Sequence, residues 1–485
     1  MEVKGNAFIS KIKKIFAFQD LTNGRPFKTI ILFGIPILIS NLLGTSLSLI
    51  NTLVLKSTVG SNSVVAMNQT GAINSLLFQF SFGCASGFSV IGSQKAGAKD
   101  IEGLKKVFNV SIVLTTIIAI IISILGLSCI DPLMNFLNID AIFYEKAKTY
   151  ILIILGFFIL NALNNLVSNF LRALGNSTFP LIVSLSTSLL NILLVFLFTA
   201  QNLLSLDTLG CGIANTIVIF LSLLINYFYL IKKHPSLKFS FKSAKFDKTI
   251  YYDLLKLGLP LGFQWSILFI GSFVQNSQIN LYGPDASSAM TCYSQFENYL
   301  TIVFSVLASS LLTFVGQNYG ARKYKRIRKG ILETSLTAII LYVVICLIGI
   351  VSAKYVPYIF LNAEDINSEI VYYVSIYLYI ISPSLIMQAL LMISRSSLQG
   401  IKKPLIPFLS GIGELIARIV VCFLLPYLID NNYQTTHSDS SYIGLCFSNP
   451  AAWLISFILM GGATLIFIIF NSKFKENGII EKELN

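Results

Sequence analysis

The chain reads as an all-α polytopic membrane protein: twelve transmembrane helices in two six-helix lobes related by a pseudo-twofold axis along the membrane normal. Three observations predict this. Of 485 residues, 55% are hydrophobic and only 12% charged, and mean hydropathy is +0.76, which leaves too little charge to solvate a surface of that size. Apolar runs of about 20 residues, enough to cross a hydrocarbon core roughly 30 Å thick, recur from end to end. Landmarks of the first half return in the second at a nearly constant offset.

Lipid offers no hydrogen-bond partners to an open backbone, so each run is expected as a helix. The first, 29–55, carries Pro36 and ends after Asn51-Thr52. Runs 64–92 and 107–129 follow, and then 149–171, where Asn161, Asn165 and Asn169 recur at i, i+4, i+8. Runs 180–200 and 210–231 complete the first six. The second six begin with 257–281, which holds Pro260, Gln264, Gln275 and Gln278, and 287–315, which holds Glu297. Runs 331–353, 370–394, 405–428 (with Glu414 and Arg418) and 449–471 close the set. The expected organisation is a segment 1–28, a lobe 29–231, a linker 232–256, a lobe 257–471 and a tail 472–485. Residues 8–18 suit a short interfacial helix with snorkelling lysines.

The net charge of +13 could suggest nucleic acid, but its placement points to a membrane. Of 35 Lys and Arg, 30 fall on one set of alternate connections, and only Lys56, Lys146, Lys148 and Lys354 on the other. Arg418 lies inside a run. The positive-inside rule then places both termini in the cytoplasm, with basic loops meeting anionic lipid. Outer loops are expected near 57–63, 130–148, 201–209, 354–369 and 429–448.

The repeat rests on four landmarks. Pro36 answers Pro260, and Phe136-Leu137-Asn138 answers Phe360-Leu361-Asn362, each 224 apart. The segment Gln94–Lys99 answers Gln317–Arg322, 223 apart, and Leu174-Gly175 answers Gln399-Gly400, 225 apart. An even number of helices per repeat gives both halves the same orientation, with a substrate path expected between them.

Charges inside such runs need a partner or a purpose. Glu297 sits about ten residues from the outer end, roughly 15 Å deep. It can exchange a proton, sodium or a cationic substrate; a purely structural acid is the alternative. Glu414 and Arg418, at i and i+4, are expected to pair with each other. The amides of Asn161, Asn165, Gln264, Gln275 and Gln278 line helix faces that suit a cavity or interhelical bonding. Pro36 and Pro260 suit either packing kinks or a moving gate.

Chemistry beyond transport finds little support. His234 and His437 stand alone, and the seven cysteines form no Cys-x-x-Cys pair, so neither a metal nor a cofactor is expected. Gly87–Gly92 lacks the Lys-Ser/Thr of a phosphate loop. A membrane-embedded enzyme or sensor is the rival from another class.

Val315-Gly316-Gln317-Asn318-Tyr319-Gly320-Ala321-Arg322-Lys323-Tyr324 resembles the signature after the eighth helix of the multidrug and toxic compound extrusion (MATE) family. Leu171–Ser177, Gly210–Thr216, Glu414-Leu415-x-x-Arg418 and Pro450-Ala451-Ala452-Trp453 agree in order. The resemblance implies export of cationic or amphipathic small molecules against a sodium or proton gradient, by a monomer in a bacterial inner membrane. A lipid-linked oligosaccharide flippase is the rival within the superfamily. Glu297-Asn298 match the family's eighth-helix acid and its neighbour. Asn51 and Val195 stand where many members carry Asp. An amide can coordinate sodium but not take a proton, and valine does neither.

Overall fold

A computed structural model describes residues 18–136, 141–200, 202–240, 247–361, 364, 366–431 and 438–475. Residues 8–17 of the expected interfacial helix, His437, the tail beyond 475 and the landmarks Leu137, Asn138 and Asn362 lie outside the described residues. Every regular element among the described residues is helical. In chain order they are α1 (Pro26–Gly97), α2 (Ile101–Ser128), α3 (Ile130–Phe136), α4 (Ala141–Gly156), α5 (Phe158–Ala173), α6 (Thr178–Thr199), α7 (Asp207–Lys233) and α8 (Lys248–Asn280). There follow α9 (Pro284–Gly320), α10 (Tyr324–Ser352), α11 (Pro357–Phe360), α12 (Ser368–Gly400), α13 (Leu405–Ile429), α14 (Asp439–Cys446), α15 (Ser448–Thr464) and α16 (Ser472–Lys475). Eleven stretches are long and apolar enough to cross a membrane, and a bent pair, Ile142–Gly156 with Phe158–Ala173, makes a twelfth.

Two elements differ from expectation. α1 contains two spans, Pro26–Val59 and Ile73–Gly97, joined by helical backbone where a loop at 57–63 was expected. The chain still reverses. Phe33 accepts a bond from Ser177 at the start of α6, and Thr58 meets Thr199 at its end. Ala66 then packs on Met134, Ala147 and Ile151. The expected fourth span is the bent pair, with a 50° angle. The Ser123 hydroxyl bonds the Leu155 carbonyl at 2.8 Å beside Gly156, so an outside donor enters the helical ladder where it has least side-chain support.

The repeat appears most clearly in four helix ends. After α1, α5, α9 and α12 the residues Lys99, Gly175, Arg322 and Lys402 all have positive φ. The following N–H returns to a carbonyl five residues back: Asp100 to Lys95, Asn176 to Leu171, Lys323 to Asn318 and Lys403 to Leu398. This is the left-handed cap that satisfies the last carbonyls of a helix. It corrects one landmark, because Gly175 corresponds to Lys402 (402 − 175 = 227), not to Gly400. At Gly175 a Cβ would lie 2.0 Å from the Gln19 carbonyl oxygen, so that one position admits no side chain.

The chain divides into two compact units. The first, here the N-lobe, is Met1–Asn23 with Leu32–Gly262. α6 and α5 pack on α7, and α2 packs on α5. The first turns of α8 meet α1 closely enough that a Cβ on Gly83 would sit 2.4 Å from the Leu261 carbonyl oxygen. The second unit, the C-lobe, is Gly24–Ile31 with Phe263–Asn485. There α9, α10 and α15 pack on α12, and α13 packs on α15. The expected boundaries thus shift: the first turns of each lobe's leading helix belong to the other unit. Pro36 and Pro260 lie inside α1 and α8, close to the residues where each helix changes unit.

Helices in lipid invert the usual amphipathic pattern. On α13, Ser410, Glu414, Arg418 and Cys422 are buried at successive four-residue steps, while Leu409, Ile416, Val420 and Leu424 are exposed. The apolar face meets hydrocarbon and the polar face meets neighbouring helices.

Candidate functional site

In the C-lobe the site is built from α9, α12 and α15. Glu297 lies partly exposed on α9. The Tyr377 hydroxyl on α12 donates to Glu297 Oε2 at 2.6 Å, and Asn449 Nδ2 on α15 donates to that hydroxyl oxygen at 3.0 Å. Tyr293, one turn before Glu297, stacks on Tyr377 with ring centroids 3.7 Å apart. Both rings are 2% exposed, which fixes the hydroxyl in place. Glu297 Oε1 makes no hydrogen bond or ion pair among the described residues. The carboxylate is oriented through one oxygen and open through the other, an arrangement suited to taking up a proton or a cation.

The expected Glu414–Arg418 pair does not form. Glu414 Oε1 is instead 2.5 Å from Arg395 Nη2 of α12 and accepts from Ser456 at 2.6 Å. Arg418 Nη1 reaches the Leu268 carbonyl and Ser272 Oγ, each at 3.3 Å. Spacing within a helix ranks only neighbours on that helix. A guanidinium arriving from an adjacent helix with a serine beside it makes a stronger, fully buried contact. Arg395, assigned by sequence to a cytoplasmic loop, is 7% exposed inside α12.

Among the described residues, none of the remaining C-lobe candidates hydrogen-bonds the Glu297 carboxylate, whose partner is Tyr377. Gln264 is fully buried against Gly411 and accepts from Gln399 at 3.2 Å, an interhelical contact. Gln275 is buried, Gln278 half-buried and Asn298 exposed. Tyr377, Tyr293 and Asn449 escaped sequence reasoning. Tyr293 carried a signal, since it lies one helical turn from Glu297, but the two others are distant in sequence.

In the N-lobe, α1, α5, α6 and α7 enclose a cavity of about 420 Å³. Asn51 and Asn165 line it, as does Asn191. Asn161 does not, but accepts from Asn165 at 3.0 Å. Val195 is 2% exposed and is absent from the lining. Arg172, counted from sequence as a loop residue, is on α5 and lines the cavity. The legible signal was periodicity: Asn164, Ser168 and Arg172 continue one face at four-residue steps.

The family model MatE matches residues 36–197 and again 260–424, so each match begins on one of the paired prolines. The probable multidrug resistance protein YpnP of Bacillus subtilis is 27% identical over 310 residues, 64% of this chain and 68% of that protein. The multidrug export protein MepA of Staphylococcus haemolyticus is 22% identical over 348 residues, 70% of this chain and 73% of that one. Aligned stretches thus span about two thirds to three quarters of those relatives. A crystal structure of MATE in complex with MaL6 superposes with TM-score 0.79 at 21% identity, covering 92% of this chain and 97% of that chain. The values are nearly the same, 0.79 at 21% identity over 92% and 98%, for a MOP superfamily transporter from Pyrococcus furiosus described as having a binding pocket of reverse polarity. These structures share the fold.

Proposed function

The chain belongs to the MatE family, whose members are membrane transporters and not enzymes, and from that premise we propose secondary active export of cationic or amphipathic small molecules by alternating access, in exchange for sodium ions or protons. The Glu297 carboxylate carries the coupling half of the proposal. One oxygen is held by Tyr377 and the other makes no bond among the described residues, so a proton, a sodium ion or a substrate ammonium can occupy it in turn. Asn51 and Val195 offer no protonatable group in the N-lobe, so proton dependence is assigned to Glu297. Names of relatives such as YpnP and MepA support multidrug export over oligosaccharide flipping. Gln264, Gln275, Gln278, Asn298 and Asn161 are left with supporting roles, and Asn51 and Asn165 with substrate contact in the cavity. Both termini are assigned to the cytoplasm by the distribution of basic residues.

The test is efflux from proteoliposomes with sodium and proton gradients imposed separately. Gradient-driven efflux that disappears in Glu297→Gln supports the proposal, and efflux indifferent to both gradients overturns it. A cysteine at position 437, with Cys446 removed, should label from outside; labelling only from inside reverses the topology.

A further inference from the structure

The N-lobe cavity has a charge the transport reading does not use. Among the described residues that line it, Arg172 is the single charged side chain, and none is Asp or Glu. Its guanidinium makes no ion pair or hydrogen bond to any described residue, and the half-buried side chain is part of the cavity wall. The neighbouring polar groups are largely committed to one another. Asn226 donates to Asn164, Ser168 and Ser222 at 3.3–3.5 Å, and Ser222 donates to Asn164 at 3.0 Å. Two acceptors are left over: Asn226 Oδ1, on a side chain 1% exposed, and Asn51 Oδ1.

A guanidinium in a membrane-embedded cavity, without a local acid, calls for an anion, and its planar fork matches the oxygens of a carboxylate or phosphate. The leftover acceptors call for hydroxyl or N–H donors on the same molecule. A volume of about 420 Å³ is within the ordinary range for small-molecule sites. We propose that this cavity binds the oxyanion group, carboxylate or phosphate, of a hydroxyl- or amide-bearing amphipathic molecule, with Arg172 as the anion-binding residue. That the occupant is cargo rests on the exporter reading; that it binds does not. The same chemistry is offered by a soluble organic anion and by an anionic lipid headgroup.

The test is equilibrium binding to the full chain in nanodiscs, using two probes with one body: 4-methylumbelliferyl glucuronide, which carries a carboxylate, and the uncharged 4-methylumbelliferyl glucoside. In phosphatidylcholine discs the glucuronide should bind at least tenfold tighter than the glucoside. Arg172→Gln should erase that preference while keeping glucoside binding, and Arg172→Lys should keep part of it. Should Arg172→Gln fold poorly, Ser168→Asp serves instead. It sets a carboxylate one turn from Arg172, where the two can pair, and should remove the preference while the guanidinium stays. In phosphatidylglycerol discs an unchanged preference identifies a soluble anion, and a tenfold weaker glucuronide identifies a competing headgroup. Equal binding of the two probes to the unaltered protein overturns the proposal, as does a preference that survives both substitutions. Gradient-driven efflux alongside equal probe binding would leave export standing without the anion site. A clear preference without efflux would do the reverse.

Discussion

The two lobes share their cap geometry and differ in the charges they hold inside. Lys99 and Arg322 close corresponding helices with the same left-handed residue and the same returning hydrogen bond, as do Gly175 and Lys402. Inside, the N-lobe encloses a cavity whose described lining contains Arg172 and no acid. The C-lobe holds Glu297 against Tyr377, and Glu414 against Arg395. The difference shows what duplication conserves. Backbone ends must satisfy the same carbonyls in either copy, whereas an interior side chain is free to change once its partners change with it.

The largest expected effect tests that asymmetry directly. Glu297→Gln keeps the shape and the Tyr377 contact but loses the charge and the proton site. One charge crossing 100 mV supplies about 2.3 kcal/mol, near fiftyfold in concentration ratio. Accumulation measured in proteoliposomes should fall to equilibrium while downhill exchange persists. An equal loss from Asn51→Ala in the N-lobe, at unchanged thermal stability, would erase the contrast between lobes.

The buried ion pair comes next. Glu414→Gln strands Arg395 in the C-lobe interior, where breaking such a pair costs about 3–5 kcal/mol. Arg418→Gln removes a cation with no carboxylate bonded to it and should cost clearly less. Thermal unfolding of both variants in detergent checks the order, and a reversed order would restore the pairing expected from sequence. Tyr377→Phe should be milder still in stability, near 1 kcal/mol for one lost hydrogen bond, but should slow gradient-driven efflux several-fold because Glu297 loses its orientation.

The smallest effects lie in the caps. Asp100 caps α2 through the Gly103 N–H and pairs with Lys95 at 2.7 Å. The Lys95 hydrogen bond, then the Gly103 N–H, hold its carboxyl below the ordinary 3.8. A lowered folded value means stability that is present above pH 4 and lost as pH falls through that lower value. The corresponding C-lobe position is Lys323 (323 − 100 = 223), so acid should loosen the start of α2 and leave α10 unaffected, as hydrogen exchange at the two helix ends can show. Asp100→Ala should cost about 1 kcal/mol as a lost cap. Lys402→Gly should raise the melting temperature slightly, because a left-handed non-glycine residue costs about 1–2 kcal/mol and glycine's added unfolded-state entropy takes back part of the gain.

Much of this was legible in the chain itself. Apolar run length fixed the spans, because a hydrocarbon layer leaves a backbone little choice but helix. The recurring prolines and Gly-Ala-Lys/Arg endings gave the duplication, and the isolated acid in 287–315 gave Glu297. Local spacing also gave the amide face that includes Asn165. Its reach ended where partners come from elsewhere. Arg395 displaced Arg418 as the mate of Glu414 from a neighbouring helix, Tyr377 reached Glu297 across 80 positions and Asn449 reached Tyr377 across 72, and Arg172 became a cavity residue because α5 continues to Ala173, two residues beyond the expected span. Helical periodicity and hydropathy are local properties that a sequence carries. Which buried charge meets which is decided by short-range contacts between packed helices, and only the tertiary structure sets those distances.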